Sequence, residues 1–172
     1  VLARLLNPED YGIIAMAAVI TGIVALLGGA GLSASAIQKK HLTLQQHSNL
    51  FWANVGMGLV LALLLAGIAP FAGWVYGRQE VVGIILANSL GLIMCGLAVQ
   101  HDADLRRNLW FGRRAIAVIS GSVVSLIVSI SLALIGYSYW ALVWGPLGGA
   151  GCSTLLLWRF SKFRPLLPAR GH

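Results

Sequence analysis

The chain has 172 residues, of which 58% are hydrophobic and only 10% are Asp, Glu, Lys or Arg, and its mean hydropathy is +0.84. Soluble domains carry about 25% charged residues, so the 12 basic and 5 acidic side chains cannot coat a water-facing surface around so much apolar material, and a soluble globular fold is excluded. A net charge of +7 would point to nucleic acid in a soluble protein, but here the basic residues cluster at the ends of apolar runs, where topology and anionic lipid place them, and no nucleic-acid partner is expected.

Asp, Glu, Lys and Arg are missing from 11–38, 41–77, 81–101 and 115–158. About 20 apolar residues cross a hydrocarbon core about 30 Å thick. The last stretch is long enough for two crossings and is interrupted by Gly136-Tyr137-Ser138-Tyr139, a turn signal. Five transmembrane helices are therefore predicted, over 8–30, 50–72, 81–101, 115–135 and 140–158. Together they make one all-α, polytopic membrane bundle occupying 1–172, with no soluble domain and no internal repeat.

The first span opens on Asn7-Pro8-Glu9-Asp10, with a capping residue, a proline at the first helical position and two acids at the positive end of the helix dipole. It ends in Gly28-Gly29-Ala30-Gly31, where a bend is expected before 32–38. Arg4 set against Glu9 and Asp10 gives the wrong charge for a signal peptide. The apolar residues before Asn7 read as the tail of an earlier span, which makes the chain a fragment. The second span follows Thr43-Leu44-Gln45-Gln46, a capping-box spacing, and starts with a polar turn before Leu50. After the third span, His101-Asp102-Ala103-Asp104 is expected to form an interfacial loop. In the fifth, Gly145-Pro146-Leu147-Gly148-Gly149-Ala150-Gly151 predicts close packing or a kink.

Lysine and arginine fall on alternate sides of these spans in a ten-to-two ratio. Lys39, Lys40, Arg106, Arg107, Arg113, Arg114, Arg159, Lys162, Arg164 and Arg170 share one side, and Arg4 and Arg78 the other. The ten-residue side is predicted to be cytoplasmic. Aromatic residues fall into two interfacial girdles, Tyr11, Trp74, Tyr76, Tyr137, Tyr139 and Trp140 at one end and Phe51, Trp52, Trp110, Phe111, Trp158 and Phe160 at the other.

Chemistry inside a membrane needs ionisable groups or a metal, and the spans hold no Asp, Glu, Lys or Arg at mid-depth. No catalytic residue, metal ligand set or cofactor motif is predicted, and His101 with Asp102 and Asp104 is read as interfacial rather than as a metal or catalytic cluster. Cys95 and Cys152, both in apolar runs, form no disulfide framework. Ser122, Ser125 and Ser129 fall on one face of the fourth span, while Asn54 and Asn88 are solitary amides in the second and third. A polar group facing lipid has no partner, so these five are lumen-facing candidates that serve either helix packing or a water-filled substrate path. Arg106-Arg107 and Arg113-Arg114, with Lys39 and Lys40, are topology signals and also candidates for binding an anionic substrate, because arginine makes bidentate hydrogen bonds to phosphate.

An ordered series of short matches then carries a resemblance. Ala3-Arg4-Leu5-Leu6-Asn7-Pro8-Glu9-Asp10-Tyr11-Gly12, Ala30-Gly31-Leu32-Ser33, Ala36-Ile37-Gln38, Leu42-Thr43, Leu50-Phe51-Trp52, Ala69-Pro70, Tyr76-Gly77, Leu105-Arg106-Arg107, Phe111 and Gly136-Tyr137 before Trp140-Ala141-Leu142-Val143 resemble polysaccharide and O-antigen-type flippases. These belong to the oligosaccharide-lipid branch of the multidrug/oligosaccharidyl-lipid/polysaccharide exporter superfamily. The resemblance implies a multi-pass protein of the bacterial inner membrane that moves undecaprenyl-pyrophosphate-linked sugars of polysaccharide or lipopolysaccharide assembly. It also implies that the five spans are the second to sixth helices of a first lobe, the first helix and a second lobe lying outside the chain. Against it stand two other classes: a membrane-embedded polymerase or ligase of the same assembly route, and a drug or cation antiporter of the same superfamily. Both call for intramembrane ionisable residues, which the spans lack.

Overall fold

A computed structural model describes residues 8–37 and 44–166. They form five helices: α1 (Pro8–Ile37), α2 (Leu44–Tyr76), α3 (Gln79–Arg107), α4 (Phe111–Ile135) and α5 (Trp140–Phe160). All five are long and apolar enough to cross a membrane.

Each helix outruns its predicted apolar core, for a physical reason. Polar residues just outside a hydrocarbon layer lose nothing by staying helical, since the backbone bonds are already satisfied within the segment. The bend expected at Gly28 does not interrupt α1, which continues to Ile37. α2 carries Pro70 inside it and α5 carries Pro146, each as part of a single helix. The largest correction concerns α3. His101, Asp102 and Asp104, read from sequence as an interfacial loop, lie in its last two turns.

The corners follow local stereochemistry. α2 turns into α3 through Gly77, at φ +63°, and Arg78, whose guanidinium donates to Glu9 Oε1 of α1 at 2.5 Å. That hydrogen bond holds the Arg78 pKa above its ordinary value. The four-residue turn predicted between the fourth and fifth spans is present. Gly136, at φ +93°, donates to Ala133 O, and Tyr137 to Leu132 O, which closes α4 with a left-handed glycine.

α3 lies at the centre and touches all four other helices, while α2 packs chiefly on α3, and α4 on α5. The contact between α2 and α3 is a crossing of small residues. A Cβ on Gly58 would come 2.8 Å from Leu92 O, and one on Gly96 would come 2.7 Å from Asn54 O, so only glycine permits this approach. The core is apolar, with Leu65, Val81, Ile84 and Ile85 fully buried. Outer faces are just as apolar, with Leu26, Leu63, Ile119, Ile127 and Leu155 exposed. In water such a surface would aggregate; in a bilayer it is the lipid contact.

After α5 the chain leaves helix at Ser161 and runs back as an extended strap to the start of α2. Leu166 N donates to Ser48 Oγ at 3.0 Å, and Trp52 Nε1 donates to Leu166 O at 2.9 Å. Arg164 anchors the strap through its Nη1, which lies within hydrogen-bond distance of the carbonyls of Trp158 in the last turn of α5, Ser161 at its C-cap and Phe163 on the strap.

Candidate functional site

Polar and charged chemistry gathers at the end of the bundle formed by the N-terminus of α2, the C-termini of α3 and α5, the N-terminus of α4 and the strap. The tetrapeptide His101-Asp102-Ala103-Asp104 organises it by pointing three side chains in three directions. Asp102 turns outward, and both its oxygens are used: Oδ2 by Arg106 Nη2 and Oδ1 by Arg114 Nε, each at 2.6 Å. One carboxylate thus gathers two guanidiniums from two helices. Asp104 turns inward, where Oδ2 accepts from Ser161 Oγ at 2.7 Å and Oδ1 accepts from Asn108 Nδ2 at 3.0 Å, tying the strap and the α3–α4 corner to one buried group.

His101 is fully buried among Phe51, Trp158 and Phe163, its ring centroid 4.5 Å from that of Trp158. Neither ring nitrogen has a hydrogen-bond partner among the described residues. Its neighbour Gln100, also fully buried, lies with its amide 3.2 Å from His47 Nδ1, while His47 Nε2 meets Arg107 Nη1. Arginine has only donors, so His47 Nε2 accepts from Arg107; Gln100 Nε2 is the atom facing His47 Nδ1, and Gln100 Oε1 has no partner among the described residues. The polar chain Arg107–His47–Gln100 therefore runs from the surface into the gap between α2 and α3.

Two spaces lie deeper. A groove of about 500 Å³ runs between α4 and α5, lined by Gly121, Ser122, Ser125, Pro146, Gly149 and Ser153. A second, of about 430 Å³, lies among α1, α3 and α5, and its polar groups are Thr21 and Asn88. Asn88 Nδ2 reaches Thr21 Oγ1 at 3.5 Å, and Thr21 donates in turn to Ala17 O. Pro146 borders both spaces, and its missing N–H leaves the Leu142 carbonyl without the usual partner in α5.

A family profile described as polysaccharide biosynthesis protein matches residues 1–172. The chain belongs to this family. It is 28% identical over 144 residues to a succinoglycan biosynthesis transport protein of Rhizobium meliloti, covering 83% of this chain and 29% of that relative. It is 25% identical over 171 residues to a lipopolysaccharide biosynthesis protein of Escherichia coli, covering 96% of this chain and 34% of that one. A teichuronic acid biosynthesis protein of Bacillus subtilis is 27% identical over 55% of the chain, which is 20% of the relative. The chain thus spans about a third or less of the length of these relatives. No solved structure matches it. Five apolar helices and membership of this family make it a multi-pass membrane protein.

The residues singled out from sequence separate into distinct places. Lys39 and Lys40 lie outside the described residues. Arg106 and Arg114 are brought together by Asp102, whereas Arg107 turns to His47 and Arg113 lies over the indole of Trp110. The four arginines thus divide among three sites instead of forming one cluster. Ser122 and Ser125 line the α4–α5 groove, and Asn88 faces the space beside α1. Ser129 is buried against Gly145 in the helix contact, and Asn54 is buried at the α2–α3 crossing with Nδ2 unpartnered among the described residues.

The girdle predicted at this end is also corrected. Trp52 and Phe111 are exposed, but Phe51 is buried, and Trp158 turns its Nε1 to Leu97 O at 3.0 Å. Both belong to the cluster around His101. Sequence reasoning missed Asp102, Asp104, His47 and Gln100 as organising residues. The available signal was the helical spacing of Asp102 to Arg106, an i,i+4 pair.

Proposed function

We propose that the chain is part of an exporter that moves lipid-linked oligosaccharide or polysaccharide precursors from the cytoplasmic to the outer leaflet of the bacterial inner membrane. The observation carrying this reading is the family match across all 172 residues, on a five-span bundle whose relatives include a protein named for succinoglycan transport. The further helices of such an exporter, a first helix and a second lobe, would come from the length that the relatives have beyond this region.

The end bearing Asp102 is the cytoplasmic one in this reading, because seven of the eight basic residues among the described residues lie there, all but Arg78. Leu109 is exposed at that end and Gln79 at the other. With Cys95 and Cys152 replaced by serine, Leu109→Cys is expected to resist an impermeant thiol reagent added outside the cell, and Gln79→Cys to react. The reverse labelling pattern would refute the orientation.

The substrate in this reading carries a pyrophosphate on an undecaprenyl lipid. Such an anion cannot enter hydrocarbon unpaired, so fixed cations and donors must replace its hydration first. Arg106 and Arg114 suit this task. Asp102 occupies one nitrogen of each, holds both in place and leaves their remaining N–H groups, on side chains 48% and 34% exposed, to bind oxygen. Arg106→Lys with Arg114→Lys keeps the positive charge that sets topology but removes the planar fork. In the full-length protein this pair is expected to slow export by about tenfold, the equivalent of about 1.4 kcal/mol of lost recognition. The readout is lipid-linked saccharide accumulating on the cytoplasmic leaflet, with a strain lacking the gene as the upper limit. Export at the wild-type rate would remove these arginines from substrate recognition, and no accumulation in the null strain would refute the exporter reading itself.

A further inference from the structure

Arg113 and Lys162 both sit over the ring of Trp110, at 4.8 and 5.2 Å from its centroid. They come from different elements: Arg113 from the first turn of α4 and Lys162 from the strap just past α5, with Trp110 at the α3–α4 corner between them. Held around one point, the two cations lie no more than about 10 Å apart. Like charges this close repel, and a shared indole attracts each only modestly, so the arrangement favours an anion between or beside them.

No carboxylate of the described residues supplies that anion. Asp102 is taken by Arg106 and Arg114, Asp104 is buried against Ser161 and Asn108, and Glu9, Asp10 and Glu80 lie at the opposite end of the helices. Arg113 and Lys162 are both exposed. Along α4 beyond Arg113, the side chains of Ile116, Ile119, Val123 and Leu126 follow at helical spacing and are exposed as well. In a bilayer that stripe lies against acyl chains, so a molecule that reaches the cation pair from its open side brings a hydrocarbon tail along α4. Charge complementarity fixes the head as anionic, and the apolar stripe fixes the rest as lipid.

We infer that Trp110, Arg113 and Lys162 form a binding site for the phosphate headgroup of an anionic glycerophospholipid, whose acyl chain lies along Ile116, Ile119 and Val123. The site stands apart from the Asp102 arginine pair, and the inference does not depend on what the protein transports. A lipid bound there fills the corner between α3, α4 and the strap and neutralises two charges that otherwise strain it.

Binding of phosphatidylglycerol to the full-length protein, measured by native mass spectrometry from detergent at low salt, tests the site. The wild type is expected to bind phosphatidylglycerol at least about tenfold more tightly than phosphatidylcholine. Arg113→Gln with Lys162→Gln is expected to weaken phosphatidylglycerol binding by about 30-fold, from about 1 kcal/mol per basic residue. Arg159→Glu, which removes as much net charge from the same end, is expected to change it by less than about threefold. Trp110→Leu keeps both cations but removes the platform that holds them, and about a threefold loss is expected. This variant also serves if the double glutamine protein fails to fold. The inference is overturned if phosphatidylglycerol and phosphatidylcholine bind alike, if Arg159→Glu loses as much as the Arg113/Lys162 pair, or if both Trp110→Leu and the double glutamine variant bind like wild type. Displacement of the lipid by equimolar inorganic phosphate would also overturn it, because the site would then read a soluble anion.

Discussion

Gly149→Leu is expected to destabilise the bundle by about 3 kcal/mol or more, the upper end of the range for overpacking. α4 and α5 approach each other through glycine backbones. A Cβ on Gly149 would lie 2.5 Å from Gly121 O and 2.7 Å from Ser125 Cβ. One on Gly121 would lie 2.8 Å from Gly149 O, and one on Gly145 would collide with Ser129 Oγ. Backbone atoms on both sides leave no flexible group to swing away, so the helices themselves must separate and lose their packing along the contact. Gly148, one residue earlier, provides the control. Its Cβ would meet Val128 Cγ2 at 3.6 Å, an ordinary contact, and Gly148→Ala is expected to be neutral or slightly stabilising because alanine favours helix. Thermal unfolding in detergent micelles separates the two. Equal melting temperatures for Gly149→Leu and Gly148→Ala would show that close backbone approach does not hold α4 to α5.

Asp104→Ala should cost about 2–3 kcal/mol, while Asp102→Ala should cost under about 1 kcal/mol, although among the described residues Asp102 makes two salt bridges and Asp104 makes none. The difference lies in where each carboxyl sits. The arginines on Asp102 are a third to a half exposed, so water and salt screen the pair and take its place when it is lost. Asp104 is 9% exposed and Ser161 3%, so removing the acceptor strands a buried hydroxyl that water cannot reach. It also cuts the tie that starts the strap on its return to Ser48 and Trp52. Limited proteolysis reads this directly, since Lys162, followed by Phe163, is a trypsin site on the strap. Cleavage there is expected to be faster in Asp104→Ala and unchanged in Asp102→Ala. Identical digestion of both variants would mean that Asp104 does not latch the strap.

Bilayer thickness and the cost of unsatisfied backbone leave few choices, so the all-α membrane class, the five helices among the described residues and the glycine turns at Gly77 and Gly136 were legible in the sequence, while the corner after the third span was not. A run of about 20 apolar residues has one stable use, and Gly136 after the fourth run has one natural role. Family membership was also legible, in the ordered series from Asn7-Pro8 to Trp140-Ala141. Tertiary structure alone decided which face of each helix meets protein and which meets lipid. Both environments are apolar, so no periodicity in the sequence distinguishes Leu65, fully buried, from Leu63, 65% exposed. Asn88 and Ser129 show the same limit: each was expected to face inward, yet only the packing sent Asn88 to a cavity beside Thr21 and Ser129 into a helix contact. The basic end was hidden for a further reason. Its groups are arranged by the turn of a helix that continues past the apolar run. Asp102 and Asp104 are two residues apart, about 200° around the helix, and so one gathers arginines at the surface while the other ties the strap inside. The partners that give those acids their roles, Arg114 and Ser161, come from other elements, and no local pattern in the sequence encodes that meeting.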